Sequence, residues 1–287
     1  MKTDIIDIIK EVAQIPSFSS FEERIHPFIY DFIKSNKIPC KVYKLYNNLI
    51  VEINDELLPT IAFTAHLDKI NHFNEEIEKL PFNSEKESIT GQLDNAVGIG
   101  ICLYILKNFK ELNIPHTLFL FSEMEESSGY IKHRHTLKNE GIGLHPQIGA
   151  KRIPTFLIEN SIIPSLFLTI DTTPKFRGEP GIALYSKFWE ISKRVPTTET
   201  LEKTVLIEQL IQSIYPDITL ANNINDYIMY GEMFAANDLC IPSIAIEPSI
   251  FPYHTIGEKV FIADIVKTYE IIAEFVSVFA KNTNLHT

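Results

Sequence analysis

Short apolar runs alternate with helical patterns along all 287 residues, which predicts an α/β fold: a three-layer α/β/α sandwich around a mixed, largely parallel central sheet. Two further observations support this. The runs TIAFTAH (60–66), HTLFLFS (116–122) and SLFLTID (165–171) are largely apolar on both alternating faces, as strands covered by helices on each side must be. Hydrophobic residues make up 45% of the chain and charged residues 22%, enough apolar mass to fill a sizeable core.

Taken in order, Ile5, Ile6, Ile8, Ile9 and Val12 fall at helical spacing and stop before Pro16, predicting a helix over 3–14. Ser19 or Ser20 is a cap candidate for a second helix, with Glu22 and Glu23 in its first turn and Phe28, Ile29, Phe32 and Ile33 on its buried face. After Pro39, KVYKLYNNLIVEI places two β-rich runs around Asn47–Asn48, a hairpin signal. The strand 60–66 follows, and Asp94 opens NAVGIGICLYILKNF, an apolar helix ending near Lys110. Beyond the strands 116–122 and 165–171, GIALY, DYIMY and PSIAIEP read as shorter strands. An amphipathic stretch lies near 199–215, and 263–280 is the last strong helix. Residues 127–164, rich in Gly, Pro, His and Lys, read as an irregular insertion. The whole, 1–287, reads as a single catalytic domain.

Composition excludes some classes of function. Lys and Arg number 26 against 37 acids, a net charge of −11 that argues against a nucleic-acid partner. No apolar run approaches a membrane span, so no membrane partner is expected. The N-terminus carries acids inside its apolar stretch and lacks a small-residue cleavage site, unlike a signal peptide. Cys40, Cys102 and Cys240 are scattered and odd in number. They read as thiols of a reduced compartment, and a cytoplasmic location is the expectation.

The residues able to carry chemistry lie where predicted strands end, the edge at which open α/β sheets bind ligands. In His66-Leu67-Asp68, strand alternation puts His66 and Asp68 on one side, so a carboxylate can fix one imidazole nitrogen while the other binds a metal. A solvated loop end is the alternative. Asp94 sits at the entry to a helix, as an N-cap or as a rigid carboxylate able to bridge two cations. Glu123, Glu125 and Glu126 follow a buried strand directly, where adjacent acids are costly unless neutralised. One glutamate can ligate a metal while its neighbour accepts a proton from bound water; an exposed acidic loop is the alternative. Asp171 ends SLFLTID, and His254 lies in PYHTIGE. Together His66, Asp94, Glu126, Asp171 and His254 supply one histidine and one terminal carboxylate per metal, plus a shared aspartate. Nitrogen and oxygen donors without thiolate suit two zinc ions, with cobalt or manganese as alternatives.

The pattern resembles the co-catalytic di-zinc exopeptidases, the leucyl and glutamyl aminopeptidases with their carboxypeptidase and aminoacylase relatives. The likeness runs nearly end to end, through IIDIIKEVAQIPSFSSFEERIHPFIYDFIKSN, YNNLIVEI, TAHLD, LDNAVGIG, EMEESSG, LTIDTTP and FPYHTIGEKV. It implies the zinc-exopeptidase, phosphorylase/hydrolase-like sandwich. It also implies that Asp94 bridges two metals, with His66 and Asp171 on one and Glu126 and His254 on the other. Asp68 would orient His66, Glu125 would be the general base, and the Asp94–Asn95 peptide bond would be cis. YGEMFAANDLCIP is similar to a segment with an acid near the substrate's amino end, which places Glu232 there. The segments between His66 and Asp94 and between Asp171 and His254 are too short for a separate barrel or a full lid domain. That favours a lidless aminopeptidase acting on peptides over an amidase, deacylase or dipeptidase acting on N-acyl amino acids or small peptides. A non-catalytic metal-binding protein on the same fold is the remaining alternative. Related enzymes range from monomers to large shells, so a homo-oligomer is an open expectation.

Overall fold

In the computed structural model, residues 2–53, 60–74, 76–112, 116–192, 194–222 and 224–281 are described. The chain opens with α1 (Lys2–Gln14), a 3-10 turn, α2 (His26–Ser35), β1 (Lys41–Leu45), β2 (Asn48–Ile53) and β3 (Thr60–His66). Then come β4 (Asn83–Ser84), β5 (Ser88–Gly91), α3 (Ala96–Lys107), α4 (Phe109–Leu112), β6 (His116–Ser122), α5 (Ser127–Lys132), α6 (Ile148–Glu159) and β7 (Leu166–Ile170). The remainder holds β8 (Ile182–Tyr185), α7 (Trp189–Ser192), α8 (Thr198–Ile214), β9 (Thr219–Ala221), α9 (Asp226–Ala235), β10 (Ser243–Pro248), β11 (Glu258–Phe261) and α10 (Ile262–Phe279).

Eight strands form one sheet in the order β1-β2-β6-β3-β7-β10-β8-β9. Its centre, β6-β3-β7-β10, is parallel throughout, while β2 joins β6 and β8 joins β10 antiparallel. Burial on both faces explains the unbroken apolar runs. Phe119 and Phe121 of β6 pack toward α1, α3 and α10, with Phe119 stacked on Phe63 at 5.3 Å, and Leu118 and Leu120 pack toward α6 and α9. A small antiparallel sheet, β11-β5-β4, stands apart from the large one and pairs Glu258 with Gly91. Cys40, Cys102 and Cys240 are free thiols. Among the described residues, no helix is long and apolar enough to cross a membrane.

The structure departs from the sequence expectations at four places. DYIMY is the start of α9, not a strand: Asn225 caps the helix by accepting the Tyr227 N–H, and Tyr227, Tyr230, Gly231 and Phe234 are buried at helical spacing. The stretch 127–164 is not irregular throughout, because its second half is α6, whose Ala150, Ile153 and Leu157 cover the sheet. Gly149 and Pro154, which read as breakers, sit inside that helix. The hairpin turns at Tyr46–Asn47, one residue earlier than expected, with Tyr46 at φ 56°. Finally, neither Ser19 nor Ser20 caps a helix. Ser19 Oγ instead donates to Asp68 Oδ2 (2.7 Å), and Ser20 Oγ accepts the Lys138 N–H.

Candidate metal centre

Parallel strands deliver three of the acidic and imidazole groups to one edge. His66 is the last residue of β3, Glu123–Glu126 follow β6, and Asp171 follows β7, all at the C-terminal ends. The small sheet brings the other two. Asp94 lies just after β5 and His254 just before β11, and the pairing of these strands sets them side by side.

Two three-residue groups result, His66–Asp94–Asp171 and Asp94–Glu126–His254, each with ligand atoms close enough to hold one metal ion. Asp94 Oδ1 is 3.2 Å from His66 Nε2, and Asp94 Oδ2 is 3.3 Å from His254 Nε2. Asp171 Oδ1 lies 3.6 Å from His66 Nε2, and Glu126 Oε2 lies 3.2 Å from His254 Nε2. The last two atoms are buried and make no hydrogen bond despite their separation. Two buried lone pairs facing each other at that distance fit a shared cation between them.

The groups behind the cluster are fully engaged. Asp68 is completely buried and accepts from Ser19 Oγ and from the Glu125 and Glu126 backbone N–H groups, and its Oδ1 is 3.4 Å from His66 Nδ1. Lys69 is buried as well and donates to Val12 O, Ile15 O and Ser17 Oγ, fastening the end of α1 to the loop after β3. Glu258 Oε2 accepts the Leu93 and Asp94 N–H groups and its Oε1 accepts that of His254, so one carboxylate ties two arms of the cluster together. Asn95 accepts the Gly98 N–H and donates to Ile170 O, and the Asp94–Asn95 peptide bond is cis.

Charge at the site is unbalanced. Burial pushes Glu125 and Glu126 well above the usual carboxylate range, with nearby acids adding to the effect, and pushes Asp171 to about 6. Burial alone would lower His66, but Asp171, Asp68 and Asp94 raise it well above its ordinary value. Burial disfavours ionised Asp94 too, yet the imidazoles of His254 and His66 beside it bring it down. Two imidazoles cannot neutralise this many buried acids. A divalent cation in each group would, because its charge favours the carboxylate form.

Several residues beside the cluster stand outside the ligand set that the sequence suggests. Asp226 opens α9, where it reads as a first-turn acid, but it accepts a hydrogen bond from Ser122 Oγ at the strand end beside His66. Burial, with Asp171 and Asp68 nearby, pushes it to about 7. Glu247 of β10 is buried and accepts from Asn225. Tyr253 stacks on His254 at 3.6 Å. Glu232 is half-buried further along α9, and its backbone carbonyl accepts the Ala236 N–H. His133 lies edge-on to His72 at 5.3 Å and His135 bonds Asn74, outside both three-residue groups.

No protein-family model and no curated protein matches the sequence. Solved structures do. A TET aminopeptidase from a marine sediment Thaumarchaeota archaeon aligns with a TM-score of 0.68 at 9% identity, covering 96% of this chain and 96% of that one. A tripeptidase from Staphylococcus aureus aligns at 0.66 and 14% identity, covering 98% and 99%. The TET1 peptidase of Pyrococcus horikoshii, described as able to assemble into a tetrahedron or a large octahedral shell, aligns at 0.63 and 14%, covering 95% and 99%. At these identities the likeness establishes the fold.

Proposed function

We propose that the protein is a two-metal hydrolase that removes residues from the N-terminus of peptides. The observation that carries this reading is Asp94, whose two oxygens face two different histidines, each of which has its own further carboxylate. In this reading His66, Asp94 and Asp171 hold one divalent cation and Asp94, Glu126 and His254 the other. Zinc suits the donor set, with cobalt or manganese as alternatives. Bound there, the cations supply Lewis acidity and a water acidic enough to react near neutral pH. Glu125, half-buried beside the cluster and outside both ligand groups, accepts the proton of the attacking water and returns it to the leaving amine. Asp68 holds His66 by its Nδ1 side, which fixes the ring and makes Nε2 the ligand atom.

A peptide rather than another amide is supported by the solved structures that share the fold, among them proteins described as aminopeptidases and a tripeptidase. A homo-oligomer belongs to the same reading, on the likeness to the shell-forming Pyrococcus peptidase. The test is metal analysis of the purified protein together with a panel of aminoacyl amides, free and N-acylated, with and without chelator. Two metal equivalents and hydrolysis of free-amine substrates that chelation abolishes are expected. Preference for N-acylated substrates would make the protein a deacylase. Less than one metal equivalent with no hydrolysis would make it a binding protein.

A further inference from the structure

The loop that carries Glu125 is held by four consecutive backbone N–H groups, each donated to a side chain from elsewhere in the chain. Glu123 N–H goes to Asn48 Oδ1 (2.9 Å), Met124 N–H to Glu22 Oε1 (3.2 Å), Glu125 N–H to Asp68 Oδ1 (2.9 Å) and Glu126 N–H to Asp68 Oδ2 (3.1 Å). The start of α6 grips the other side, with Gly149 N–H on Glu123 O (3.2 Å) and Gln147 N–H on Met124 O (2.5 Å). None of these anchors belongs to either ligand group, and Glu22 lies farthest from them in sequence.

Glu22 has no exposed surface, an expensive place for an acid unless its oxygens are used. They are. Oε1 accepts both Ser20 N–H (2.8 Å) and Met124 N–H, and Oε2 accepts from Asn47 Nδ2 (2.9 Å). The residue it grips in the loop, Met124, has φ 56°, a left-handed conformation that a side chain with a Cβ rarely adopts and that persists where its surroundings hold it. That turn separates two glutamates with opposite destinations. Glu123 is bonded to Asn48 Nδ2 and Arg152, away from the ligand groups, whereas Glu125 lies within electrostatic reach of His66, Asp226 and Asp171.

We propose that Glu22 is a positioning residue for hydrolysis: by holding the Met124 N–H it maintains the left-handed turn that aims Glu125 into the metal cluster. The inference rests on the reading of Glu125 as the proton carrier, and it assigns Glu22 no contact with substrate or metal. A carboxyl oxygen in reach of Met124 matters here, rather than the charge. Glu22→Gln keeps that oxygen, and its amide can pair with Asn47 once the Asn47 side chain turns over. Glu22→Asp keeps the carboxyl group and loses the reach.

Steady-state hydrolysis of the best free-amine aminoacyl amide by metal-loaded variants tests this. For Glu22→Ala, kcat should fall about ten- to a hundredfold, the scale of a misplaced catalytic group, with KM within about threefold and two metals retained. Glu22→Gln should stay within about fivefold of wild type and above Glu22→Asp, a ranking that still decides the matter if the alanine variant does not fold. In a Glu125→Gln background, Glu22→Ala should cost nothing further, because the two residues act as one unit. A metal-loaded Glu22→Ala with wild-type kcat, a Glu22→Asp better than Glu22→Gln, or a full additional loss in the Glu125→Gln background overturns the proposal. Amide hydrogen exchange at Met124 is the readout that needs no activity. Protection should be lost in Glu22→Ala and kept in Glu22→Gln, and unchanged protection in Glu22→Ala refutes the grip. A wild type that hydrolyses no aminoacyl amide would overturn the function while leaving the exchange result to judge Glu22.

Discussion

Asp94 can serve two histidines because it is gripped from behind. Its backbone N–H and that of Leu93 both end on Glu258, and the side chain is left with both oxygens facing the cluster. Glu125 is the complementary case, a carboxylate beside the cluster that neither ligand group uses. Replacing it by Gln should leave both metals bound while kcat falls by about 10²–10⁴, the usual scale for a general base, as metal analysis and steady-state kinetics on one preparation would show. Normal turnover in that variant would remove Glu125 from the reaction. Asp68 stands behind the ligands: its backbone carbonyl pairs with His66 Nδ1 (3.1 Å), and its carboxylate, 3.4 Å from the same nitrogen, holds two loop N–H groups. Asp68→Ala should therefore weaken metal binding by about 10- to 100-fold in a competition titration with a chelator, and unchanged affinity would make Asp68 a packing group only. At this scale the acids that end buried strands were legible, because an acid in that place needs a partner. Asp226 and Glu22 were not, because each sits in a first helical turn that already accounts for an acid. Glu247, near the end of buried β10, carries the same signal as the ligands and stands outside the set the sequence suggests.

The elements show why local pattern failed where it did. The strands of the parallel centre were readable as apolar runs because both their faces are buried, and the order of the ligand motifs follows from the order of those strands. DYIMY misled because β-rich aromatic residues also suit a helix whose face packs on a sheet. In α6, Gly149 is required by close approach: a Cβ there would lie 2.5 Å from the backbone N and O of Glu123. A breaker in the sequence is here a docking point. Gly98 plays the same part at the start of α3, where a Cβ would meet Ile170 O at 2.1 Å and Asn95 Oδ1 at 2.2 Å. Those two neighbours adjoin Asp171 and Asp94, so crowding at Gly98 should reach the proposed ligand cluster as well as the core. Gly98→Ala should lower unfolding stability by about 1–3 kcal/mol, the range for overpacking, and should reduce metal occupancy at matched free metal. Denaturant unfolding and metal analysis read the two effects separately. A loss of stability with full metal occupancy would show that α3 moves without disturbing Asp94.

For the whole molecule, the buried acids couple folding to pH and to metal. Burial, joined by nearby acids, raises Asp171 to about 6 and Asp226 to about 7, and Glu22 and Glu258 reach about 8, against 3.8 for a free Asp and 4.5 for a free Glu. An acid whose pKa is higher folded than unfolded binds more protons in the folded state. Its contribution is complete below the unfolded value and is lost as pH rises through the folded one. His66, raised well above 6.5, acts in the same direction. His72, lowered by burial to about 4, opposes them only below its ordinary 6.5, and Lys69, lowered by burial to about 7, opposes them only above that. Asp68 and Asp94, whose pKa values are lowered, lose their contribution only in acid, outside this window. The balance for the metal-free protein is therefore a stability that falls from about pH 6 to about pH 8. Divalent cations bind the deprotonated carboxylates and neutral imidazoles, so the stabilisation they provide should grow across the same interval. Thermal unfolding of the chelator-treated protein through this range, with and without added zinc, should give a descending curve without metal and a widening gap with it. A metal-free protein that grows more stable toward pH 8 would mean that these acids are not buried together, and a zinc effect independent of pH would mean that the cation binds somewhere other than this cluster.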